Sequence, residues 1–388
     1  MGRHAAMTAL NNAVRSKRQA LGLSQQDLAT RCHLTRQAIS AIEAGQYVPN
    51  TTVALRLARL LGCTVEALFR LPEDVTPVEA EWLGEQAVPR TERARVRLGR
   101  VGERLVAHPL TDALAVFTPA DGLTLPAVQG VHTPTRVARG VRVDLLVDTQ
   151  LLDNTVIVLG CDPALALLGA YLTRRHPSFR LLWTPRSSLI ALQMLGRGEA
   201  HAAGTHLLDP VSGESNLPYV RRELAGRHLI VVTLSQWQQG FLVANGNPKG
   251  ITGAADLARL DVTLVNRDPG SGSRALLDAW LHHAGVAPQQ VRGYAREVTS
   301  HLTVAEIVAN GGADVGPGIL AVANALGLDF ITLQEERYDL VIPMEFFNAD
   351  PVQALLDVVV NPTFHDELLA LGGYDSSQAG NVVAELRS

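Results

Sequence analysis

From Thr155 onward the chain alternates short apolar runs with longer amphipathic ones. TVIVLG precedes ALALLGAYLTRR, FRLLWT precedes SLIALQMLG, HLIVVTL follows, VTLVN precedes SRALLDAWLHHAG, and VAEIVANG comes last. Short, wholly apolar runs suit buried strands, and longer runs with apolar residues three and four apart suit helices packed on them. The alternation therefore predicts an α/β domain with largely parallel sheets. The chain has 388 residues, 47% of them hydrophobic, which is enough for two or three domains with real cores.

Residues 8–71 have a different texture, that of closely spaced short helices. Ser24-Gln25-Gln26-Asp27 has capping-box spacing, with the Ser24 hydroxyl placed to accept from an early amide while Asp27 reaches back. Leu28, Ala29 and Cys32 then share one helical face. Thr35 is placed to cap a second helix, whose inward face is Ala38, Ile39 and Ile42 and which Gly45 ends. Pro49-Asn50 makes a turn, and Thr64 caps a last short helix carrying Leu68 and Phe69. Between residues 72 and 153, prolines and glycines punctuate short runs (ARVRLGRV, ERLVAHPL, ALAVF, VRVDLLVD), which predicts a small β-rich connector.

Charge separates the parts. Residues 1–70 hold nine Lys/Arg against three acids, a balance of +6, and the remaining 25 basic and 35 acidic groups give −10. A basic head on an acidic body leaves only the head suited to a polyanion. No apolar run reaches membrane-spanning length, and the N-terminal residues lack an apolar stretch followed by a small-residue cleavage site, so a cytoplasmic protein without membrane contact is expected. Cys32, Cys63 and Cys161 are far apart and odd in number. They make neither a disulfide framework nor a zinc pattern, which suits a reducing compartment.

The most chemically suggestive segment of the body is VTLVNRDPGSGSRALLDAWL, residues 262–281. A strand ends, a Pro/Gly/Ser loop turns sharply, and a helix begins. Free amides and the positive dipole end at such a start suit an anion, with the hydroxyls of Ser271 and Ser273 beside the Gly272 backbone. Arg267 and Arg274 could add bidentate charge. Three other strand-to-helix junctions place Cys161-Asp162, Arg186-Ser187-Ser188 and Thr299-Ser300-His301 at helix starts. Ligands in open α/β sheets bind beyond the carboxyl ends of strands, so four such loops could converge on one cleft, with His206 lining it. His201 and His206 are five apart, off the spacing of helical metal ligands, and no metal or other cofactor is expected. Cys161 reads as a buried, inert thiol.

The order of residues from Leu21 to Phe69 resembles the Cro/Xre type of helix-turn-helix regulator. In that family the second helix of the motif lies in the major groove. The resemblance implies that Thr35, Arg36, Gln37 and Ser40 read bases, Arg36 and Gln37 being able to make bidentate contacts to guanine and adenine. It implies that Gln25 and Asn50 hold the DNA backbone. His33 stands in the turn where the family usually has glycine, and Ala41 where a basic residue is frequent.

The body resembles type-II periplasmic-binding-protein-like domains, specifically the molybdate-binding-protein-related domains fused to helix-turn-helix heads. GCDPAL, ALQMLGRGEAHAAGTHLLD, GESNLPYV, VNRDPGSGSRALLD and SHLTVAEIVANGGADVGPGI carry the likeness. It implies two lobes joined by a double crossover near residues 236–242 and 338–344, with ligand between them. The expected organisation is α + α/β: an all-α helix-turn-helix bundle over 8–71, a β-rich connector over 72–153, and a two-lobed domain over 154–388. Lobe I would take about 154–238 and 342–388, and lobe II about 239–341. The expected function is a non-enzymatic, homodimeric regulator of a palindromic double-stranded operator that senses a small anionic ligand, an oxyanion or small acid. The alternatives are an enzyme of the same two-lobed fold and a degenerate domain serving only dimerisation.

Overall fold

The computed structural model describes residues 11–70, 77–84, 93–111, 116–125, 139–210 and 212–387. The chain divides into two compact units. The first comprises Met1–Ala80, Val88–Val96 and Asp112–Val147, and the second Glu81–Ala87, Arg97–Thr111 and Asp148–Ser388. Among the described residues, no helix is long and apolar enough to cross a membrane.

The first unit opens with β1 (Asn11–Asn12), then α1 (Val14–Ala20), α2 (Gln25–Cys32), α3 (Arg36–Glu43), α4 (Thr51–Leu60), α5 (Val65–Leu68) and β2 (Phe69–Arg70). Strand β1 pairs antiparallel with β2 and ties the two ends of the helical bundle together. The starts of α2 to α5 are built as their sequence dictates. Ser24 and Asp27 form the reciprocal capping box, and Thr35, Asn50 and Thr64 each accept from the amide three residues on. His33 ends α2 at φ 58°, the left-handed conformation its position in the turn demands. Leu28, Ala29, Cys32, Ile39, Ile42, Leu57 and Leu68 make the core.

The connector is rich in strands: β3 (Val78–Trp82), β4 (Arg95–Val101), β5 (Arg104–Pro109), β6 (Gly122–Thr124) and β7 (Gly140–Leu145). Strand β6 runs antiparallel to β4 and β7, and β3 runs parallel to β5. The run ALAVF does not behave as a strand where it is described. Val116 and Phe117 lie in a turn and are 76% and 85% exposed, and the residues before them lie outside the described set.

The second unit continues with α6 (Thr149–Asp153), β8 (Thr155–Leu159), α7 (Ala164–Arg175), β9 (Arg180–Thr184), α8 (Ser188–Gly196), β10 (Ala202–Thr205), α9 (Leu217–Glu223) and β11 (Leu229–Val243). Next come β12 (Asn266–Arg267), α10 (Gly272–His283), β13 (Glu297–Val298), α11 (His301–Ala309), β14 (Val315–Ile319), α12 (Leu320–Leu326) and β15 (Asp329–Pro343). Helices α13 (Met344–Phe347), α14 (Asp350–Val359) and α15 (Pro362–Ala370) and strands β16 (Tyr374–Asp375) and β17 (Val382–Leu386) complete it.

The principal sheet has the order β14-β11-β15-β10-β8-β9. It corrects the expectation of largely parallel sheets. The pairs β8–β9 and β8–β10 are parallel, but β11 runs antiparallel to both β14 and β15, and β10 is antiparallel to β15. The cause is the length of β11 and β15, 15 residues each. They run side by side from one lobe into the other, with register shifts at Thr233/Ser235 and Gln239/Gly240. One end of the ribbon carries β10, β8 and β9 with α7 and α8; the other carries β14 with α10 and α11. Phe241, Val243, Leu257, Leu264, Leu277 and Leu281 make a separate core at that second end.

Candidate functional site

In the first unit, α3 presents a polar face because its apolar residues, Ile39 and Ile42, are buried on the opposite side. Arg36, Gln37 and Ser40 are exposed on it, and Thr35, at the helix start, is exposed while its hydroxyl accepts from the Ala38 amide at 3.1 Å. Asn50 is exposed and caps α4 through Oδ1. Gln25 is half-buried, and its amide donates to Glu43 Oε2 at 2.9 Å.

Glu43 was not legible as a key residue in the sequence. Its side chain is fully buried at the end of α3, held by Arg18 through Nε at 2.6 Å and Nη2 at 3.1 Å, with Arg15 at 3.5 Å. Burial pushes its pKa up, but the bonds from Arg18 and Gln25 outweigh that and hold it below the usual carboxylate value. The network clamps α1, α2 and α3 and so fixes the orientation of the polar face.

In the second unit, the predicted loops converge only in part. Cys161 and Asp162 follow β8, His206 follows β10, Arg267 ends β12, and His301 starts α11. All five are buried. Asp162 Oδ1 accepts from the Ala164 amide at 2.9 Å and from Tyr374 Oη at 2.6 Å. Burial is the main cause that raises the Asp162 pKa to about 6. Ser188 Oγ accepts from the His206 amide at 3.2 Å, and Ser187, also buried, starts α8 without capping it. Ser271 caps α10, and the Ser273 hydroxyl donates to Gln239 Oε1 at 3.1 Å. The two lobes touch here: the Leu189 amide donates to the Gly270 carbonyl at 3.1 Å, and Gly272 lies against His206 so closely that a Cβ would stand 2.1 Å from its carbonyl oxygen.

Arg274 and Thr299 do not join this set. The Arg274 guanidinium is engaged with Asp278, Glu297 and the Arg267 carbonyl and stacks 4.2 Å over Tyr294, because the i,i+4 acid on its own helix draws it outward. It borders instead a cavity of about 220 Å³ lined also by Leu189, Leu207, Tyr219 and Ser271. The Thr299 side chain is exposed, and only its carbonyl contributes, accepting from Arg267 Nη2 at 3.0 Å.

Four residues of the long strands, none singled out in the sequence, complete the seam: Trp237, Gln239, Glu336 and Tyr338. The one available signal was the polar run SQWQQG inside an otherwise apolar strand, since buried polar groups in a strand require partners. His206 Nδ1 meets Glu336 Oε2 at 2.9 Å, and its Nε2 meets Cys161 Sγ at 3.1 Å. Burial works against charge on His206, but Cys161 and Glu336 outweigh it and hold the pKa at about 10. His301 behaves oppositely. Burial, then Arg267 and His206, keep its pKa well below the ordinary value.

Of the ten buried side-chain polar atoms without a partner among the described residues, seven belong to this seam: Asp162 Oδ2, Trp237 Nε1, Gln239 Nε2, Arg267 Nη1, both ring nitrogens of His301 and Glu336 Oε1. An unmet buried group costs about 1–3 kcal/mol, and this concentration makes the seam the candidate site of the second unit.

Comparison with known proteins agrees with this division. A Helix-turn-helix family profile matches residues 14–68, and a PBP superfamily domain profile matches residues 169–360. The Bacillus subtilis uncharacterized protein YvgK is 36% identical over 234 residues, 59% of this chain and 74% of that protein. An uncharacterized HTH-type transcriptional regulator of Methanothermobacter thermautotrophicus is 44% identical over 66 residues, 17% of this chain and 96% of its own. The Escherichia coli sulfate-binding protein is 28% identical over 132 residues, 31% of this chain and 40% of its own. The chain thus belongs to the family of YvgK, and it is a transcription regulator that joins a Cro/Xre-type helix-turn-helix domain to a periplasmic-binding-protein-like domain.

Proposed function

We propose that this regulator is gated by a small anionic ligand taken up between the lobes of its second unit. One observation carries the reading: Arg267 is fully buried at the seam, tethered through Nε and Nη2 to the carbonyls of Val298 and Thr299 and at 3.5 Å to Asp268 Oδ1, while Nη1 has no partner. A buried guanidinium with a free N–H favours an oxyanion or carboxylate strongly, because water does not compete. Gln239 Nε2 and Trp237 Nε1 are two further buried donors without a partner. The sulfate-binding relative is in keeping with such a ligand. A ligand that contacts both lobes binds the closed form better than the open one and shifts that equilibrium. In a homodimer this would alter the spacing of two heads that read palindromic half-sites about 34 Å apart. Arg36, Gln37, Ser40 and Thr35 would meet bases, with Gln25 and Asn50 near the phosphates.

The test is a thermal-shift screen of sulfate, phosphate, molybdate and small carboxylic acids on the full chain and on Arg267→Ala. An anion at 100 times its Kd should stabilise the parent by about 2.7 kcal/mol and the variant by far less. DNA binding to the chain's own upstream region is then measured with and without that anion. If no anion stabilises the parent, or if Arg267→Ala responds equally, the gating reading fails. A second reading rests on the row Cys161–His206–Glu336, which has the order of a nucleophile, a base and a group that orients the base. Turnover of an ester or amide substrate, lost in Cys161→Ala, would favour an enzyme instead.

A further inference from the structure

We infer that the seam also contains a site for a thiophilic transition-metal cation of the Zn²⁺ class, held by Cys161, His206 and His301. The ligand atoms of these three buried residues all lie within 4.8 Å of one another. Cys161 Sγ and His206 Nε2 are 3.1 Å apart. Tetrahedral bonds of about 2.3 Å to sulfur and 2.0–2.1 Å to nitrogen require a separation of roughly 3.5 Å, a small spread for two side chains.

Two further observations point to a metal rather than to a hydrogen-bonded cluster. His206 Nδ1 is engaged by Glu336 at 2.9 Å, the carboxylate–histidine arrangement that orients a ligating imidazole and leaves Nε2 for the ion. His301 is buried, reaches the same point, and has no partner at either ring nitrogen. A thiol nucleophile with its base gives His301 nothing to do; a metal uses it. One thiolate and two imidazoles select soft or borderline cations over Ca²⁺ and Mg²⁺, which take oxygen ligands. Three protein ligands leave one tetrahedral position for water or a small anion. On ligation the one proton held between Cys161 Sγ and His206 Nε2 passes to solvent, leaving a thiolate and a neutral imidazole whose Nδ1–H stays on Glu336.

The ligands come from both lobes. Cys161 and His206 follow β8 and β10 at one end of the ribbon, and His301 starts α11 at the other. The complete site therefore exists only when the lobes are together, so the cation would itself favour closure. This inference stands apart from the anion reading: an anion screen that fails leaves it intact.

The test is titration of the chelator-stripped full chain with Co²⁺ as a spectroscopic probe, with Zn²⁺ in competition. The expected result is one ion per chain, the visible ligand-field bands of a tetrahedral site and a thiolate-to-cobalt charge-transfer band. Cys161→Ser should lose the charge-transfer band, and His301→Ala and His301→Gln should lose the tetrahedral bands, while Cys63→Ser keeps both. Glu336→Gln should weaken binding about 10–100-fold. Circular dichroism and melting of each variant separate a lost site from a lost fold. Octahedral spectra, or tetrahedral bands that persist in folded His301→Ala and His301→Gln, overturn the assignment.

Discussion

Gly272 offers a direct way to test whether closure of the lobes matters. It is the first residue of α10, and its backbone lies in no region closed to other residues, so alanine there is acceptable to the helix itself. The obstacle lies across the seam. A Cβ at this position would stand 2.1 Å from the His206 carbonyl oxygen and 2.5 Å from two atoms of its ring. A real Cβ keeps at least 3.0 Å, so His206 or α10 must retreat by about 1 Å. Overpacking of this kind costs about 1–3 kcal/mol where nothing can move. Here opening the lobes relieves it, so the cost falls on the closed form alone. The closed population, and with it the apparent affinity for any ligand or ion that requires closure, should drop about 5- to 150-fold. Calorimetric titration of Gly272→Ala reads the affinity, and small-angle scattering reads the expansion. Melting of the head should not change. A variant that binds as tightly as the parent with an unchanged scattering profile would refute the reasoning.

Further predictions concern the head. Arg36→Ala should weaken specific DNA binding by about 1–3 kcal/mol and relax base preference at one position, as read by anisotropy on operator variants. Arg18→Met leaves Glu43 buried without its main partner and should destabilise the head by about 3–5 kcal/mol, visible as a lowered first melting transition. Because the folded pKa of Glu43 lies below its unfolded value of about 4.3, its contribution is complete above that value and is lost as pH falls through the folded one. Amide protection in α3, taken relative to the intrinsic exchange rate at each pH, should therefore fall in acid, while Arg18→Met shows a smaller change. Ser24→Ala removes the α2 cap and should cost about 0.5–2 kcal/mol by urea unfolding.

The helices of the head were legible because their determinants are local. The caps at Ser24, Thr35, Asn50 and Thr64 and the i,i+3/i+4 apolar faces are written within a few residues. The same holds for α7 and α8, whose bounds follow the runs ALALLGAYLTRR and SLIALQMLG. Sheet order was not legible, because apolar runs do not say that β11 and β15 pair antiparallel over their whole length. Site residues at strand-to-helix junctions could be anticipated singly, but not their partnerships. Cys161, His206, His301 and Glu336 are brought together from positions 35 to 175 apart in sequence, and no local spacing encodes that. Arg274 shows the opposite error: a charged residue beside an anion-suited loop was drawn away by Asp278 and Glu297 on the outer side. Glu43 was hidden for a similar reason, since its importance lies in Arg18, 25 residues earlier.

The paired strands β11 and β15 pass through both lobes without a break, and this limits how the protein can be taken apart. One lobe is built from two separate lengths of chain and the other is inserted between them, so a single truncation cannot excise one and leave the other whole. A chimera that exchanges one lobe for that of a relative requires two splice points, one on each ribbon strand. The register shift at Gln239/Gly240 of β11, opposite Gln334 and Thr332 of β15, is the natural place to put them, because the ladder is already interrupted there.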